Sequence, residues 1–324
     1  MLSSATAPPG PPCLVLGTML FGTHIEEATA YTLLDRFVER GGRWIDTADC
    51  YAFWLSESGR GDDSERVIGR WLAARAGIRE RVLISTKIGA EPVGSGSWRG
   101  WPDNREGLSP QAVQRAVEGS LARLGIDRID LLWLHQEDRA TPIEDTVDAV
   151  EGFVASGRVA RVGASNHPAW RVERARCHAV ERGIRPIDAI QLASTYLRVR
   201  PDATPPGNDH VFGQLSREQR DHAADTGMEV WAYTPLLRGA YDDPGREVPD
   251  AYRHDGSTRR LETLAVAADR LGMHRGQVVL SWLAGAGVLP IVGVSSVAQL
   301  DEAIDAVSTP LPVDVRAQLD SVVP

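Results

Sequence analysis

Short apolar runs alternate with stretches of helical periodicity along almost the whole chain. The runs are rich in β-branched residues, which favour strands, and the stretches between them carry apolar residues at the spacing of one helix face. The eight runs are Cys13 to Met19, Trp44 to Ala48, Leu83 to Lys87, Asp130 to His135, Arg161 to Asn166, Asp188 to Ala193, Glu229 to Pro235 and Val288 to Gly293. Strict alternation of strands and helices favours a parallel sheet covered by helices.

Eight such units predict a closed (β/α)8 barrel, the TIM barrel fold, in a single α/β domain that spans residues 1–324. Barrels of this type need about 250 residues, which leaves room for insertions. Helices are expected over Glu26 to Arg40, Ser64 to Ala76, Pro110 to Leu124, Ile143 to Ala155, Trp170 to Glu181, Ser216 to Ala224 and Leu261 to Leu271, with a further one starting near Ser296. Residues 1–12 are mostly Ala, Ser, Gly and Pro, and we expect a flexible segment there.

The connections between these elements are unequal in length. Segments that lead from a helix into a strand are short, whereas Ile88 to Ser109, Ser194 to Leu215 and Leu236 to Ser257 leave strands and are long. Loops of this length inside a compact domain are usually functional. In a barrel they project from the C-terminal face of the sheet, where such enzymes carry their active sites. The sequence therefore predicts the site at this face.

The charge balance excludes several classes of partner. The chain has 35 basic and 44 acidic residues, a net charge of -9, and no basic run, which disfavours nucleic acid and anionic membranes. No stretch approaches the roughly 20 consecutive apolar residues of a membrane span. Residues 1–12 lack the charged and then apolar order of a secretory signal. We expect a cytoplasmic protein, and the sequence indicates no oligomeric state.

The three cysteines, Cys13, Cys50 and Cys177, lie far apart and form no CxxC pair. Neither a disulfide framework nor a zinc site is indicated, and the histidines and acidic residues show no metal-ligand spacing. The cysteines are therefore expected to be small core residues, and no metal is expected.

One basic residue differs from all the others. Of the 35 basic residues, Lys87 alone is a lysine and the rest are arginines. A lysine ammonium is compact and shifts its pKa readily when it is buried, which a guanidinium does not do. This exception makes Lys87 the first candidate for a functional residue, the alternative being a lysine retained without a function.

Four polar residues lie at or just after the ends of consecutive predicted strands. Asp46 and Tyr51 end or follow the second strand, Lys87 ends the third and His135 ends the fourth. Each residue alone could be a core or capping residue, but together they lie at the face where a barrel places its site. Their chemistry suits proton transfer. An ammonium beside a phenol favours the phenolate, so we expect Lys87 to lower the pKa of Tyr51 from about 10 toward neutrality.

In this scheme the other two residues support the lysine and the tyrosine. Asp46 would pair with Lys87 and keep it charged. His135 would orient the carbonyl oxygen that Tyr51 protonates, because a hydrogen-bond donor aimed at developing charge stabilises the transition state.

Several segments resemble the aldo-keto reductases in order and spacing. They are Trp44 to Tyr51 (WIDTADCY), Asp63 to Gly69 (DSERVIG), Ser85 to Lys87 (STK), Leu121 to Gly125 (LARLG), Asp130 to His135 (DLLWLH), Val162 to Asn166 (VGASN) and Ile291 to Ser296 (IVGVSS), followed by Gln299 and Leu300. The resemblance runs from about Leu16 to Ala303. It implies that Asp46, Tyr51, Lys87 and His135 are the catalytic tetrad of that family.

The resemblance also implies a nicotinamide cofactor in extended form across the barrel mouth. Ser165, Asn166 and Gln191 match positions that hold the nicotinamide carboxamide, and Tyr233 matches the aromatic residue on which the ring stacks. The remaining implied cofactor contacts are Gly17, Thr18 and Met19 after the first strand, Thr234, Leu236, Arg238 and Gly239 over the pyrophosphate, and Gly293, Ser295, Gln299 and Glu302 toward the adenosine.

Two departures from the family pattern bear on the choice of cofactor. Ala303 stands where many relatives have an adenine-binding Asn, and Gly293 to Glu302 contains no Lys or Arg for the 2'-phosphate. Relatives resembling the potassium-channel β subunits show a similar Ser and Gln pattern and are associated with NADPH. The resemblance to that branch therefore favours NADP(H), and NAD(H) is the alternative.

The substrate is the least determined part of the site. Phe53 and Trp54 follow Tyr51 closely, and Trp98 and Trp101 lie in or beside the Gly-rich segment Gly94 to Gly100. These aromatic residues are expected to wall an apolar pocket for a small carbonyl or sugar-like substrate. The other interpretation is that they pack the loops onto the barrel.

These observations lead to an NAD(P)-dependent oxidoreductase. We expect NADPH-dependent reduction of an aldehyde or ketone to an alcohol, with Tyr51 as the proton donor. The same tetrad permits an NAD-dependent sugar or alcohol dehydrogenase. A cofactor-bound binding or regulatory subunit with incidental turnover is the third interpretation.

Overall fold

The computed structural model describes residues 13–94, 100–201, 203 and 213–322, and the segment 1–12 that we expect to be flexible lies outside them. Eight parallel strands close into a barrel in sequence order, so the predicted (β/α)8 fold is confirmed. The strands are β1 (Val15–Gly17), β2 (Trp44–Asp46), β3 (Leu83–Ile88), β4 (Leu131–Leu134), β5 (Val162–Ser165), β6 (Ala189–Ala193), β7 (Glu229–Tyr233) and β8 (Val288–Val292).

Ten helices surround the barrel in the described residues. They are α1 (Glu27–Glu39), α2 (Asp63–Ala73), α3 (Pro110–Leu124), α4 (Ile143–Ala155), α5 (Ala169–Glu181), α6 (Arg217–Thr226), α7 (Asp255–Leu271), α8 (Arg275–Ala284), α9 (Val297–Ser308) and α10 (Val313–Asp320). The seven helices predicted by periodicity and the helix near Ser296 are all present, and α8 and α10 are additional. The three long connections are also confirmed, because β3, β6 and β7 each lead into a long loop.

The helix ends follow local sequence rules. Ser109 caps α3 by accepting a hydrogen bond from the Ala112 backbone N–H, and Pro110 occupies its first turn. Ser216 and Gln219 form a capping box at the start of α6. In the described part of the chain no helix combines the length and the apolar composition that crossing a bilayer requires.

The interior of the barrel is filled by large side chains. Trp231 makes edge-to-face contacts with both Trp44 and Trp133, with ring centroids 5.1 Å apart in each pair. Gly163 on β5 makes room for this layer, because a Cβ atom there would lie 2.3 Å from the Trp133 ring. The barrel is thus a packed core, and its open end is formed by the loops.

Backbone strain is concentrated in the loops at the C-terminal face. Residues other than glycine with positive φ are uncommon, and they often mark functional sites. All six in the described chain lie after β2, β5 or β7, and they are Ala52, Asp62, Asn166, Thr234, Leu237 and Arg238. Several of them belong to segments predicted to bind the cofactor.

The prediction for the cysteines is wrong for two of the three residues. Cys50 is buried, but Cys13 and Cys177 are exposed. Cys177 lies on the outer face of α5, where its thiol donates to Glu173.

Candidate active site

Lys87, Asp46 and Tyr51 converge at the C-terminal face of the barrel. The Lys87 ammonium donates to Asp46 Oδ2 at 2.5 Å, to the Thr47 carbonyl oxygen at 2.8 Å and to the Tyr51 hydroxyl oxygen. Tyr51 is half-buried, whereas Asp46 and Lys87 are buried with exposed fractions of 0% and 1%. A lysine ammonium has three donors, and all three are used here.

The strands hold this group in register. Asp46 on β2 lies opposite Ser85 on β3, and the Ser85 hydroxyl donates to Asp46 Oδ1 at 2.7 Å. Gln191 on β6 donates to the same oxygen from across the barrel, at 3.4 Å. The Tyr51 hydroxyl also donates to Asp46 Oδ2, at 3.3 Å. With Lys87, four side chains therefore fix the Asp46 carboxylate, and it fixes the lysine in turn.

Residues of the segment Asp63 to Gly69 form hydrogen bonds that hold the strands around the site. This segment is one of those that carry the family resemblance. Ser64 donates to the Thr18 carbonyl oxygen and lies 2.8 Å from the Thr47 hydroxyl. Glu65 accepts from the Thr86 hydroxyl at 2.5 Å and from Arg123 at 2.6 Å, which ties α2 to β3 and α3. Sequence analysis did not give these residues a role.

His135 lies beside Tyr51 at the end of β4. The two rings meet edge to face with centroids 6.1 Å apart. Nδ1 of His135 lies 3.6 Å from the Cys50 sulfur, and Nε2 has no hydrogen-bond partner among the described residues. Burial, together with the charges of Lys87 and Arg105, holds the pKa of His135 well below its usual range. The imidazole is therefore neutral at pH 7.

The expected low pKa of Tyr51 is wrong for this arrangement. Burial and the negative charge of Asp46 raise the pKa of Tyr51 well above that of a free phenol. The proximity of Lys87 does not reverse this effect, because burial also lowers the pKa of Lys87. Tyr51 is consequently a neutral phenol at pH 7, the form that donates a proton.

The residues matched to the nicotinamide carboxamide lie together next to the tetrad. Ser165, Asn166 and Gln191 are all buried. Asn166 donates to the Ser165 hydroxyl at 3.1 Å and to the His135 carbonyl oxygen at 3.0 Å, and it accepts from the Tyr233 hydroxyl at 2.7 Å. These bonds link β4, β5 and β7 and fix the plane of the Tyr233 ring.

The three residues Gly17, Thr18 and Met19, which the resemblance assigns to cofactor binding, lie in different environments. Thr18 is fully buried, and its hydroxyl is bonded to the Asp46 carbonyl oxygen at 2.9 Å and to Ser64 at 2.8 Å. Its side chain therefore braces the fold. Gly17 is required by packing, because a Cβ atom there would lie 2.9 Å from Ile291. Met19 is 40% exposed at the barrel mouth.

The loop after β7 forms a tight turn. Thr234 and Arg238 have positive φ, as does Gly239, and Leu236 packs against Gly276 at the start of α8. Arg238 is exposed and forms no ion pair with a described residue.

Two further arginines of this loop are paired with acidic residues. Arg246 forms an ion pair with Asp243 at 3.0 Å, and Arg253 pairs with Glu247. These ion pairs reduce the positive charge that the two guanidinium groups could offer to a phosphate.

The segment matched to the adenosine end surrounds the start of α9. The Ser296 hydroxyl caps α9, and the Gln299 side chain accepts from both the backbone N–H and the hydroxyl of Ser295. Ser295, Gln299, Glu302 and Gly293 are exposed. The Glu302 carbonyl oxygen accepts from Gln277 of α8 at 3.4 Å.

Sequence reasoning missed one cation near this segment. Arg275 is the first residue of α8, is exposed, and forms no ion pair with a described residue. The next residue, Gly276, contacts both Leu236 and Asp242 of the β7 loop. The start of α8 thus lies between this loop and α9, where Gln277 donates to the Glu302 carbonyl oxygen. Only the tertiary packing of α8, which periodicity did not predict, brings Arg275 there.

The aromatic residues of the loops occupy different environments. Phe53 is buried and packs against Trp101, with ring centroids 5.5 Å apart, and Trp101 donates to the Ala90 carbonyl oxygen at 3.1 Å. Trp54 is 43% exposed above Phe53. Trp98 lies outside the described residues. Phe53 and Trp101 therefore pack the loops, and Trp54 presents an apolar surface to solvent.

Asp49 is a further buried carboxylate that sequence analysis did not identify. It is fully buried, and neither oxygen has a hydrogen-bond partner among the residues that the structure describes. Its carboxylate oxygens lie close to those of Glu91 and Glu106, all within 4.8 Å of one another. Burial and the charge of Glu106 raise the pKa of Asp49 well above its usual range. The three residues come from separate segments, so their spacing gave no signal.

Comparisons with known proteins identify a family and several oxidoreductase relatives. The aldo/keto reductase family profile matches residues 13–324. The chain is 30% identical to the uncharacterized oxidoreductase YrpG of Bacillus subtilis, over 96% of this chain and 92% of that protein. It is 28% identical to the norsolorinic acid reductase of Aspergillus flavus, over 96% and 77% of the two chains. It is also 28% identical to the versiconal hemiacetal acetate reductase of Aspergillus parasiticus, over 92% and 89%.

The fold, the cluster of polar side chains at the barrel mouth and these relatives define the chain as a (β/α)8 barrel oxidoreductase. The chain belongs to the aldo/keto reductase family.

Proposed function

We propose that the protein reduces an aldehyde or ketone to an alcohol with NADPH, and that Tyr51 donates the proton. The observation that carries the proposal is the bond network in which Lys87 holds the Tyr51 hydroxyl next to the half-buried His135. An acid at the barrel mouth, held by a fixed cation, suits general acid catalysis at a carbonyl oxygen.

The proton transfer follows from the charges around Tyr51. The phenol gives its proton to the substrate oxygen as that oxygen gains negative charge. The phenolate left behind accepts a hydrogen bond from the Lys87 ammonium, which stabilises it electrostatically. Asp46 balances the charge of Lys87, because an unpaired ammonium at 1% exposure would be costly. The phenolate then regains a proton from solvent through the open barrel mouth.

His135 positions the substrate oxygen in this proposal. A neutral imidazole with a hydrogen on Nε2 donates to the oxygen without giving up its proton, so the Tyr51 phenol remains the acid. The free Nε2 atom and the half-buried position of the ring support this role.

The residues at the barrel mouth fit a nicotinamide cofactor. Ser165 and Gln191 offer a buried hydroxyl and a buried amide, which suit a carboxamide, and the Tyr233 ring is fixed by its bond to Asn166. When bound, NADPH supplies the hydride. Gly293 leaves open space beside β1, since the nearest atom to a Cβ there would be the Gly17 carbonyl oxygen at 3.7 Å.

We propose NADP(H) rather than NAD(H) because positively charged groups lie near the segment matched to the adenosine end of the cofactor. The 2'-phosphate carries close to two negative charges and binds best to arginine or lysine. Arg238 lies in the loop after β7, and Arg275 lies at the start of α8, which packs against that loop. Both side chains are exposed, and neither forms an ion pair with a described residue. The N-terminus of α9 adds backbone N–H groups that favour an anion. The Ser295 and Gln299 pattern is also what supports a place in the potassium-channel β-subunit-like branch.

We propose a small carbonyl substrate with an apolar body. Trp54 and Met19 expose apolar surface at the barrel mouth, at 43% and 40%. Two relatives are named as reductases of norsolorinic acid and of versiconal hemiacetal acetate, which supports carbonyl reduction as the reaction. A cytoplasmic location remains a prediction from the sequence.

The test is turnover with a panel of aldehydes, ketones and sugars, followed through the absorbance of the cofactor. We expect oxidation of NADPH that depends on an added aldehyde or ketone. Reduction of NAD by a sugar, with no carbonyl-dependent oxidation of NADPH, would favour the dehydrogenase. A tightly bound cofactor without turnover would favour a binding subunit.

A further inference from the structure

Cys50 is a buried thiol in direct contact with His135. The residue is 3% exposed, and its sulfur lies 3.6 Å from His135 Nδ1. This contact is the one hydrogen bond that each of the two atoms makes among the described residues. Nothing in the mechanism above uses Cys50, although it directly precedes Tyr51 in the chain.

The protonation state of the pair limits the direction of this bond. Burial raises the pKa of the Cys50 thiol well above its usual range, and the nearby charge of Asp49 acts in the same sense. The sulfur therefore keeps its proton. His135 is neutral, so one of its two ring nitrogens carries hydrogen and the other accepts. The two possible tautomers present opposite chemistry at Nε2, which is the atom that faces the barrel mouth.

We propose that Cys50 is a positioning residue that fixes the tautomer of His135. The thiol donates to Nδ1, so the ring hydrogen lies on Nε2, where it can bond to the substrate oxygen. The partner of one ring nitrogen commonly sets the state of the other in this way. This inference rests on the proposed function, because it matters only if His135 donates to a carbonyl oxygen.

The Asp49 carboxylate is a competing acceptor for the thiol hydrogen. One of its oxygens lies within 4.8 Å of the sulfur and of a ring nitrogen of His135. Among the described residues, however, the geometry of a hydrogen bond is met between the sulfur and Nδ1, at 3.6 Å, and not between the sulfur and Asp49. The opposite arrangement, with Nδ1 donating to sulfur, would place a lone pair on Nε2. That lone pair would repel the negative charge that develops on the substrate oxygen.

The direct test is the nitrogen-15 NMR spectrum of the histidine side chains in the unmodified protein at neutral pH. The His135 signals are identified as those missing from a His135→Gln variant. We expect Nε2 to carry the hydrogen and Nδ1 to show the shift of a hydrogen-bonded acceptor. A hydrogen on Nδ1 in the unmodified protein would overturn the inference.

Substitutions at Cys50 provide the second test. Cys50→Val removes the donor at similar volume, and we expect a mixture of tautomers and a fall in kcat of about fivefold, as for loss of one modest hydrogen bond. The Kd of NADPH should not change. Cys50→Ser retains a donor and should restore both the Nε2–H tautomer and kcat to within about twofold. Cys177→Val, at an exposed cysteine, serves as the matched control.

The outcomes separate this inference from the proposed function. Cys50→Val with a single Nε2–H tautomer and normal kcat would show that the cysteine only packs. If the protein reduces no carbonyl at all, the proposed function fails, but the tautomer of His135 still reports whether the thiol acts on it.

Discussion

Lys87 shows at the scale of one residue why a chain otherwise confined to arginine contains a single lysine. Its ammonium meets three oxygens, from Asp46, Thr47 and Tyr51, in a space that is 1% exposed. A guanidinium has five donors in a rigid plane and would leave buried donors unsatisfied there. The composition of the sequence was therefore sufficient to single out this residue.

We predict that Lys87→Met abolishes turnover and that Lys87→Arg does not restore it. The phenolate of Tyr51 would lose its neighbouring cation in the first variant, and the larger guanidinium would displace Asp46 or Tyr51 in the second. Steady-state kinetics of both variants, with circular dichroism to check folding, measures the effect. A folded Lys87→Arg enzyme with normal kcat would contradict this account of the site.

Other properties of single residues could not be predicted from the sequence. The sequence placed Asp46, Tyr51, Lys87 and His135 at strand ends, but the pKa of Tyr51 depends on how deeply it is buried and on the distance to Asp46. Both are properties of packing.

Among the structural elements, the loop after β2 carries two adjacent aromatic residues, Phe53 and Trp54, of which one is buried and the other is exposed. Phe53 is 6% exposed and lies among Ala48, Cys50 and Ala90, whereas the adjacent Trp54 is 43% exposed. Adjacent positions in a sequence give no indication of which side chain points inward when the loop is irregular.

We predict opposite effects for these two aromatic residues. Phe53→Ala should lower the free energy of unfolding by about 3 kcal/mol, since it leaves a cavity. Trp54→Ala should change stability by less than about 0.5 kcal/mol and should raise the KM for an apolar carbonyl substrate. Thermal unfolding and kinetics on the same samples measure both. A large loss of stability in Trp54→Ala with unchanged KM would show that Trp54 packs the loop instead.

Helix α8 shows what periodicity cannot detect. Its residues from Val278 to Leu283 are all buried, so no polar face interrupts the apolar run. A run of that kind cannot be distinguished from a buried strand by pattern alone. The strands and the amphipathic helices followed from the sequence, while α8, and with it the position of Arg275, required the tertiary structure.

At the scale of the whole molecule, barrel closure depends on the fit of its interior layer. We predict that Gly163→Ala destabilises the protein by about 1–3 kcal/mol, because the added methyl overpacks the layer at Trp133. Gly152→Ala is the matched control. A Cβ atom at Gly152 in α4 meets nothing within 4 Å, so this change should stabilise by about 0.5–1 kcal/mol. Denaturant unfolding measures both, and equal effects would argue against a tightly packed interior.

In the proposed function, the choice of cofactor depends on groups from distant parts of the chain. We predict that NADPH binds more tightly than NADH, and that Arg238→Ala and Arg275→Ala each weaken NADPH binding about tenfold while leaving NADH nearly unchanged. Fluorescence titration at constant ionic strength measures the four dissociation constants. Tighter binding of NADH by the unmodified protein would show that the lack of a cation in Gly293 to Glu302 decides the preference.

In the proposed reaction, hydride reaches a carbonyl carbon while Tyr51 supplies the proton. The most direct measurement is the reduction of an aldehyde with NADPH deuterated at the transferred position, with mass analysis of the alcohol from the unmodified protein and from Tyr51→Phe. We predict deuterium on the carbinol carbon with the unmodified protein, no product with Tyr51→Phe, and the same NADPH affinity for both. Alcohol without deuterium, or full turnover by Tyr51→Phe, would contradict the account.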